Sequence, residues 1–290
     1  MSKELENRVI AATQQYQAQK RKAEKLQNEL EEYKKKFKEM ESKMSQNSTD
    51  NKDNNLINYI VGIYEIDEEK DLNKEIQIIN HNKDNSNKKI IEDSCEIFVN
   101  DEKINFSFFY TFKKEGKYTF KFSFNTILSN ISFLFYNCEN LISIDFSHFI
   151  GNNLTTLRSL FRKCKNLKKI DFSNFNTENV SDMSCMFWEC NNLNNLDLSS
   201  FNTKNVFQMN AMFSDCNSLE NLNLSHFNTT KVLDMSYMFA HCNNLKILNL
   251  KNFKIKTNTD VSDIYYNLNK NCEIISDEEK MKKLKETESQ

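Results

Sequence analysis

Five cysteines recur at one interval. Cys138, Cys164, Cys190, Cys216 and Cys242 are evenly spaced. Five further columns keep the same phase. Phe135, Phe161, Phe187, Phe213 and Phe239 precede the cysteines, and Leu141, Leu167, Leu193, Leu219 and Leu245 follow them. Next come Ile144, Ile170, Leu196, Leu222 and Leu248, then Phe146, Phe172, Leu198, Leu224 and Leu250. Phe149, Phe175, Phe201, Phe227 and Phe253 close the unit. A 26-residue unit cannot bury its own apolar columns. Each column must be covered by the same column of the next unit. The pattern predicts a stacked solenoid over residues 125–272. In each unit, C-x-x-L-x-x-L-D-L-S alternates at its end and predicts a strand, paired in parallel about 4.8 Å from its neighbour. V-x-D-M-S-x-M-F, as in Val180 to Phe187, has 3-4 apolar spacing and predicts a short helical turn on the opposite side.

The remaining segments divide around this array. Leu5, Val9, Ala12, Tyr16, Gln19, Ala23, Leu26, Leu30, Tyr33, Phe37, Met40 and Met44 alternate 3-4 spacing and predict a coiled coil over residues 1–46, hence a homo-oligomer. Residues 47–56 are polar and predict a linker. Residues 57–124, rich in Ile, Phe and Tyr, predict a small antiparallel sheet that caps the solenoid. Downstream, Val261-Ser262-Asp263-Ile264 repeats V-x-D-M after three extra residues, and Cys272 lies slightly beyond one period from Cys242. Ser276 to Glu279 predicts a capping box opening a C-terminal helix over 273–290. The fold class expected is α+β: coiled-coil helix, antiparallel β domain, and a leucine-rich-repeat-like α/β solenoid.

The unit F-x-x-C-x-x-L-x-x-L-D-L-S-x-F-N-T-x-N-V-x-x-M-x-x-M-F resembles the BspA-like leucine-rich repeats of bacterial surface lipoproteins and protist repeat proteins. The match is clearest from Phe187-Trp188-Glu189-Cys190 through Asp197-Leu198-Ser199-Ser200-Phe201-Asn202-Thr203 and covers about half the chain. The resemblance implies a ligand-binding or adhesive protein without enzymatic activity.

Composition narrows the chemistry. There is no proline and only 3 Gly, where about 20 would be usual. Gly62, Gly116 and Gly151 stand alone, so a phosphate-cradling loop or nucleophile elbow has no sequence basis. The net charge of −2 gives no strong field toward nucleic acid. No 18-residue apolar run occurs, and the charged start MSKELENRVIAATQQ lacks a signal core. The location expected is cytoplasmic, with the cell surface as the alternative.

Several columns are candidates for chemistry. The cysteines flank Phe and Leu columns and stand in a line. That suits buried small hydrophobes better than disulfides or zinc, which needs four converging ligands. Asp145, Asp171, Asp197, Asn223 and Asn249 lie beside the inward residues of the strand and should point outward. They read either as a hydrogen-bonded ladder required by the turn or as an acidic surface for a cation or a basic partner. Asn176, Asn202 and Asn228, each followed by Thr, read as fasteners of the turn backbone. Trp188, Phe207 and Tyr237 break the consensus with large aromatics and are candidate contact residues. No cofactor, metal or catalytic set emerges. The expectation is a non-enzymatic interaction scaffold that binds a protein partner. The alternatives are a cell-surface adhesin and a regulatory subunit of an enzyme complex.

Overall fold

The computed structural model describes residues 58–81 and 87–288. These belong to one unit, Leu56–Gln290. The expected coiled coil lies outside the described residues. Eleven strands are present among them, and three helices of four, seven and ten residues.

The chain opens with β1 (Tyr59–Ile66), a four-residue helix α1 (Glu68–Asp71) capped by Asp67, and β2 (Glu75–Gln77). Helix α2 (Lys88–Ser94) leads into β3 (Cys95–Val99) and β4 (Glu102–Ile104). The turn between those strands takes positive φ at Asn100 and Asp101, which suits short polar side chains. Then come β5 (Phe109–Thr111) and β6 (Gly116–Phe124). β2 and β5 form their own antiparallel pair. The other strands join a six-stranded sheet with β7 (Leu141–Asp145) and β8 (Lys169–Asp171), in the order β4-β3-β6-β1-β7-β8. β1 runs antiparallel to both β6 and β7, so the sheet continues from residues 57–124 into the repeats without a gap. Gly62 permits this, because a Cβ there would meet Leu141 and Tyr64 at 3.1 Å.

From β7 onward, equivalent residues of successive repeats stack. β7 pairs β8 in parallel with Ile144 opposite Ile170. β9 (Asn221–Asn223), β10 (Ile247–Asn249) and β11 (Glu273–Ile275) form a second parallel sheet, with Leu222, Leu248 and Ile274 in register. Between the two sheets, residues 194–198 carry no strand. Leu196 there is only half-buried, while Leu222 and Leu248 are buried.

The repeat departs most from expectation on its other side. No helix forms in the V-x-D-M-S-x-M-F segments. Leu157, Ser159, Phe161 and Lys163 instead donate their N–H groups to the carbonyls of Asp182, Ser184, Met186 and Trp188 in the next repeat, at 2.8–2.9 Å. The alternate residues Leu160, Arg162 and Cys164 donate three residues back, to Leu157, Ser159 and Phe161. A helix spends every interior N–H on itself. Here half of them bridge to the neighbour. The alternation needs left-handed residues, and two columns provide them. Phe133, Ser159, Cys185, Ala211, Tyr237 and Asp263 have positive φ, as do Asn137, Lys163, Glu189, Asp215, His241 and Asn267.

The expected α+β class with an α/β solenoid is therefore corrected. The described residues are mostly sheet and turns, with few and short helices. The 3-4 spacing arises because overlapping three-residue turns, like a helix, bring positions three and four apart to one side.

Two ladders of aromatic rings run through the core. Phe135, Phe161, Phe187, Phe213, Phe239 and Tyr265 stack with centroids 5.7–6.0 Å apart. Phe149, Phe175 and Phe201 stack at 5.9–6.2 Å.

The period also continues farther than the sequence indicated. Asp260 bridges Asp234, and Ile247 pairs Glu273, both one full period apart. No extra residues intervene before Val261. Leu268, rather than Cys272, occupies the sixth place of the cysteine column.

Each end of the stack is sealed by the chain. The carbonyls of Leu134, Tyr136 and Asn130 have no preceding repeat. They accept from the Asn80 N–H at 2.9 Å, Gln77 Nε2 at 2.6 Å and Asn87 Nδ2 at 2.8 Å. At the far end, α3 (Glu279–Glu288) buries Met281 against Tyr265. Lys285 Nζ reaches the carbonyls of Lys270 and Cys272. Ser276 Oγ accepts from the Glu278 N–H, one residue short of a capping box.

Candidate partner-binding site

The strand-side candidates are fasteners of their own turns. Asp145, Asp171 and Asp197 each accept through Oδ1 from the backbone N–H of Ser147, Ser173 and Ser199, at 2.7–2.9 Å. Asn223 and Asn249 accept from Ser225 and Lys251 at 3.1 and 3.2 Å. An amide oxygen does the same work as a carboxylate here, which is why Asn and Asp share the column. The Ser199 N–H, and then its hydroxyl, hold the Asp197 carboxyl below the usual range.

A second Asx column, not singled out from sequence, performs this role on the turn side. Asp182, Asp234 and Asp260 accept from both the N–H and the hydroxyl of Ser184, Ser236 and Ser262. The hydroxyl of Ser262, and then its N–H, hold Asp260 low.

The Asn-Thr column is structural as well. Asn176, Asn202 and Asn228 accept from the N–H two residues on. The buried hydroxyls of Thr177, Thr203 and Thr229 each donate to one carbonyl of the next repeat and accept from an N–H of that same residue.

The cysteine thiols are buried and free. Cys164, Cys190, Cys216 and Cys242 point at the carbonyls of Phe135, Phe161, Phe187 and Phe213, at 2.9–3.2 Å. Burial pushes Cys138 and Cys242 up to about 12, and Cys164, Cys190 and Cys216 well above the ordinary thiol range. Such thiols stay protonated and serve as packing. Among the described residues no three His, Cys, Asp or Glu side chains converge as metal ligands would.

Trp188 belongs to a different constellation. Its column on the turn side reads Tyr136, Arg162, Trp188, each one period from the last. The Arg162 guanidinium carbon lies 3.8 Å from the Trp188 ring centroid and 5.8 Å from that of Tyr136. Trp188 Nε1 donates to Asp215 Oδ2 at 3.0 Å, which also accepts from Ser214 Oγ. The indole is thus held on both sides, by a cation on its face and a carboxylate at its edge. Phe133 packs against Tyr136 edge to face at 6.0 Å.

Two ion pairs flank the column. Arg158 donates to Ser184 Oγ at 3.1 Å and sits 3.8 Å from Asp182. Lys163 lies 3.9 Å from Glu189. The Arg162 side chain makes no ion pair and no hydrogen bond among the described residues, and its Nε is buried without an acceptor.

Phe207 and Tyr237 are exposed on the turn side of later repeats. They do not join this column. The arginines were legible through scarcity. The chain has four, Arg8, Arg21, Arg158 and Arg162, and two of them fall close together in one repeat.

The fold and this surface define a non-helical repeat protein whose turns are chained by backbone hydrogen bonds. The chain belongs to the family described as Mycoplasma protein of unknown function, DUF285, whose profile matches residues 107–216 and 155–278. No curated protein matches the chain, and no solved structure does. Among the described residues no helix is long and apolar enough to cross a membrane.

Proposed function

We propose that this protein is a non-enzymatic interaction protein that captures a macromolecular partner on the turn side of its repeats, with Tyr136, Arg162 and Trp188 at the centre. The observation that carries this reading is the stacked Tyr-Arg-Trp column itself. These three residue types dominate the energetics of protein interfaces, and here their side chains are ordered before any partner arrives. The strand-side column of Asp145, Asp171 and Asp197 supports a partner less well, because one oxygen of each serves its turn.

Kinship with BspA-like repeats belongs to the same reading and rests on the F-x-x-C-x-x-L motif. Self-association through Leu5 to Met44 is likewise proposed, from sequence spacing alone. Light scattering of the full chain should give a multiple of the chain mass, reduced by Leu30→Lys.

The test of the binding face is a capture experiment with the full chain. Trp188→Ala and Tyr136→Ala should lower partner recovery while thermal melting stays near that of the unmutated chain. Asp171→Asn combined with Asp197→Asn should leave both unchanged. Loss of capture in the double Asn variant alone would move the site to the strand side.

A further inference from the structure

We infer that the Tyr136–Arg162–Trp188 column takes a carboxylate side chain from an acidic peptide segment of the partner. This rests on the turn-side reading above and gives it a ligand chemistry. A guanidinium carries five N–H donors in one plane. At Arg162 the Nε is buried without an acceptor, and the side chain makes no ion pair among the described residues. Trp188 lies over the guanidinium at 3.8 Å, and Tyr136 flanks it at 5.8 Å. The two rings restrict where the guanidinium can sit, and with Nε buried an acceptor would meet it at its terminal nitrogens. A carboxylate meets these nitrogens with two parallel hydrogen bonds. Ordering by the rings removes much of the entropy cost of forming them.

Local charge selects among anions. Asp182, Glu189 and Asp215 surround the column and are held by Arg158, Lys163 and Trp188. Three cations and three carboxylates balance here, and Arg162 is the cation without a direct partner, which suits a single carboxylate beside apolar residues. A locally neutral patch with one such cation gives little attraction to a polyanion such as a nucleic acid, which needs several cations on its phosphates. Phe133 and Tyr136 supply the apolar ground for the residues flanking that carboxylate.

Trp188 is the only tryptophan in the chain, so its emission reports this site alone. The full chain is titrated with a short labelled peptide carrying Glu beside an aromatic residue, its Gln counterpart, and a single-stranded oligonucleotide. The Glu peptide should shift Trp188 emission and weaken with added salt. The Gln peptide, or Arg162→Gln in the protein, should bind at least about tenfold more weakly, the scale of a charged hydrogen bond. Arg162→Lys keeps the charge without the fork and should bind between the two; it serves if Arg162→Gln disturbs folding. Equal binding of the Glu and Gln peptides, a stronger response to the oligonucleotide, or no binding at millimolar peptide overturns the inference and leaves the turn-side reading standing. Peptide capture that never moves Trp188 emission and survives Trp188→Phe overturns both.

Discussion

At the scale of single residues, two consequences follow from groups held in unusual states. Ala211 sits in the left-handed region with φ 51°. A Cβ there costs about 1–2 kcal/mol, which glycine avoids, while glycine loses up to about 1 kcal/mol through the freer unfolded chain. Ala211→Gly should therefore hold or slightly raise the urea midpoint, where the same change in ordinary backbone would lower it. A clear fall would mean the column is not strained. The thiols give a pH dependence. Burial raises Cys138 and Cys242 from near 9 to about 12 in the folded state. Above pH 9 the unfolded chain loses these protons and the folded chain keeps them. The stabilisation is thus full below pH 9 and falls as pH rises from 9 toward 12, by roughly 1 kcal/mol per unit for each thiol. Urea midpoints measured from pH 8 to 11 should drop, and Cys138→Ala with Cys242→Ala should flatten the slope.

At the scale of the repeat, the threonine column and the turn ladder do the connecting. The Thr203 hydroxyl donates to the Asn228 carbonyl at 3.2 Å and accepts from its N–H at 2.7 Å. Thr203→Val keeps the shape and leaves both backbone groups of Asn228 unpaired in a partly buried place. It should cost about 1–2 kcal/mol by chemical denaturation. Thr230→Val, exposed in the next repeat, should cost little. Equal effects would remove the threonine column from the account of stability. Ion pairs repeat the spacing on the surface, as with Glu139–Lys165, Glu178–Lys204 and Glu220–Lys246. Exposed pairs of this kind add little individually.

At the scale of the whole described unit, the two sides of the stack differ in continuity. The turn side bridges every repeat from Asn130 to Asp260. The strand side is interrupted at residues 194–198, between β8 and β9. Amide hydrogen exchange should be faster at 194–198 than at 169–171 and 221–223, while Phe187 and Phe213 on the turn side stay protected. Uniform protection along the strands would contradict the interruption. Truncation costs should follow the same division. Leu248→Ala, at a buried position, should cost about 2–5 kcal/mol. Leu196→Ala, half-buried at the interruption, should cost distinctly less.

The sequence by itself determined the period, the inward columns and the Asn-Thr fasteners of the turns, because stacking poses the same problem in every unit. Phe187, Cys190 and Leu193 were legible as core for that reason. The conformation of the turn segment was decided only by tertiary structure. Val180, Met183, Met186 and Phe187 satisfy helical spacing equally well. What removed the helix was the neighbouring repeat, whose carbonyls compete for alternate N–H groups and reward left-handed residues such as Lys163 and Cys185. The same holds for the site. Tyr136, Arg162 and Trp188 are far apart in the chain and differ in type, so no consensus marks them as a group. Only stacking one repeat on the next sets a guanidinium between two rings and leaves it without a direct acceptor.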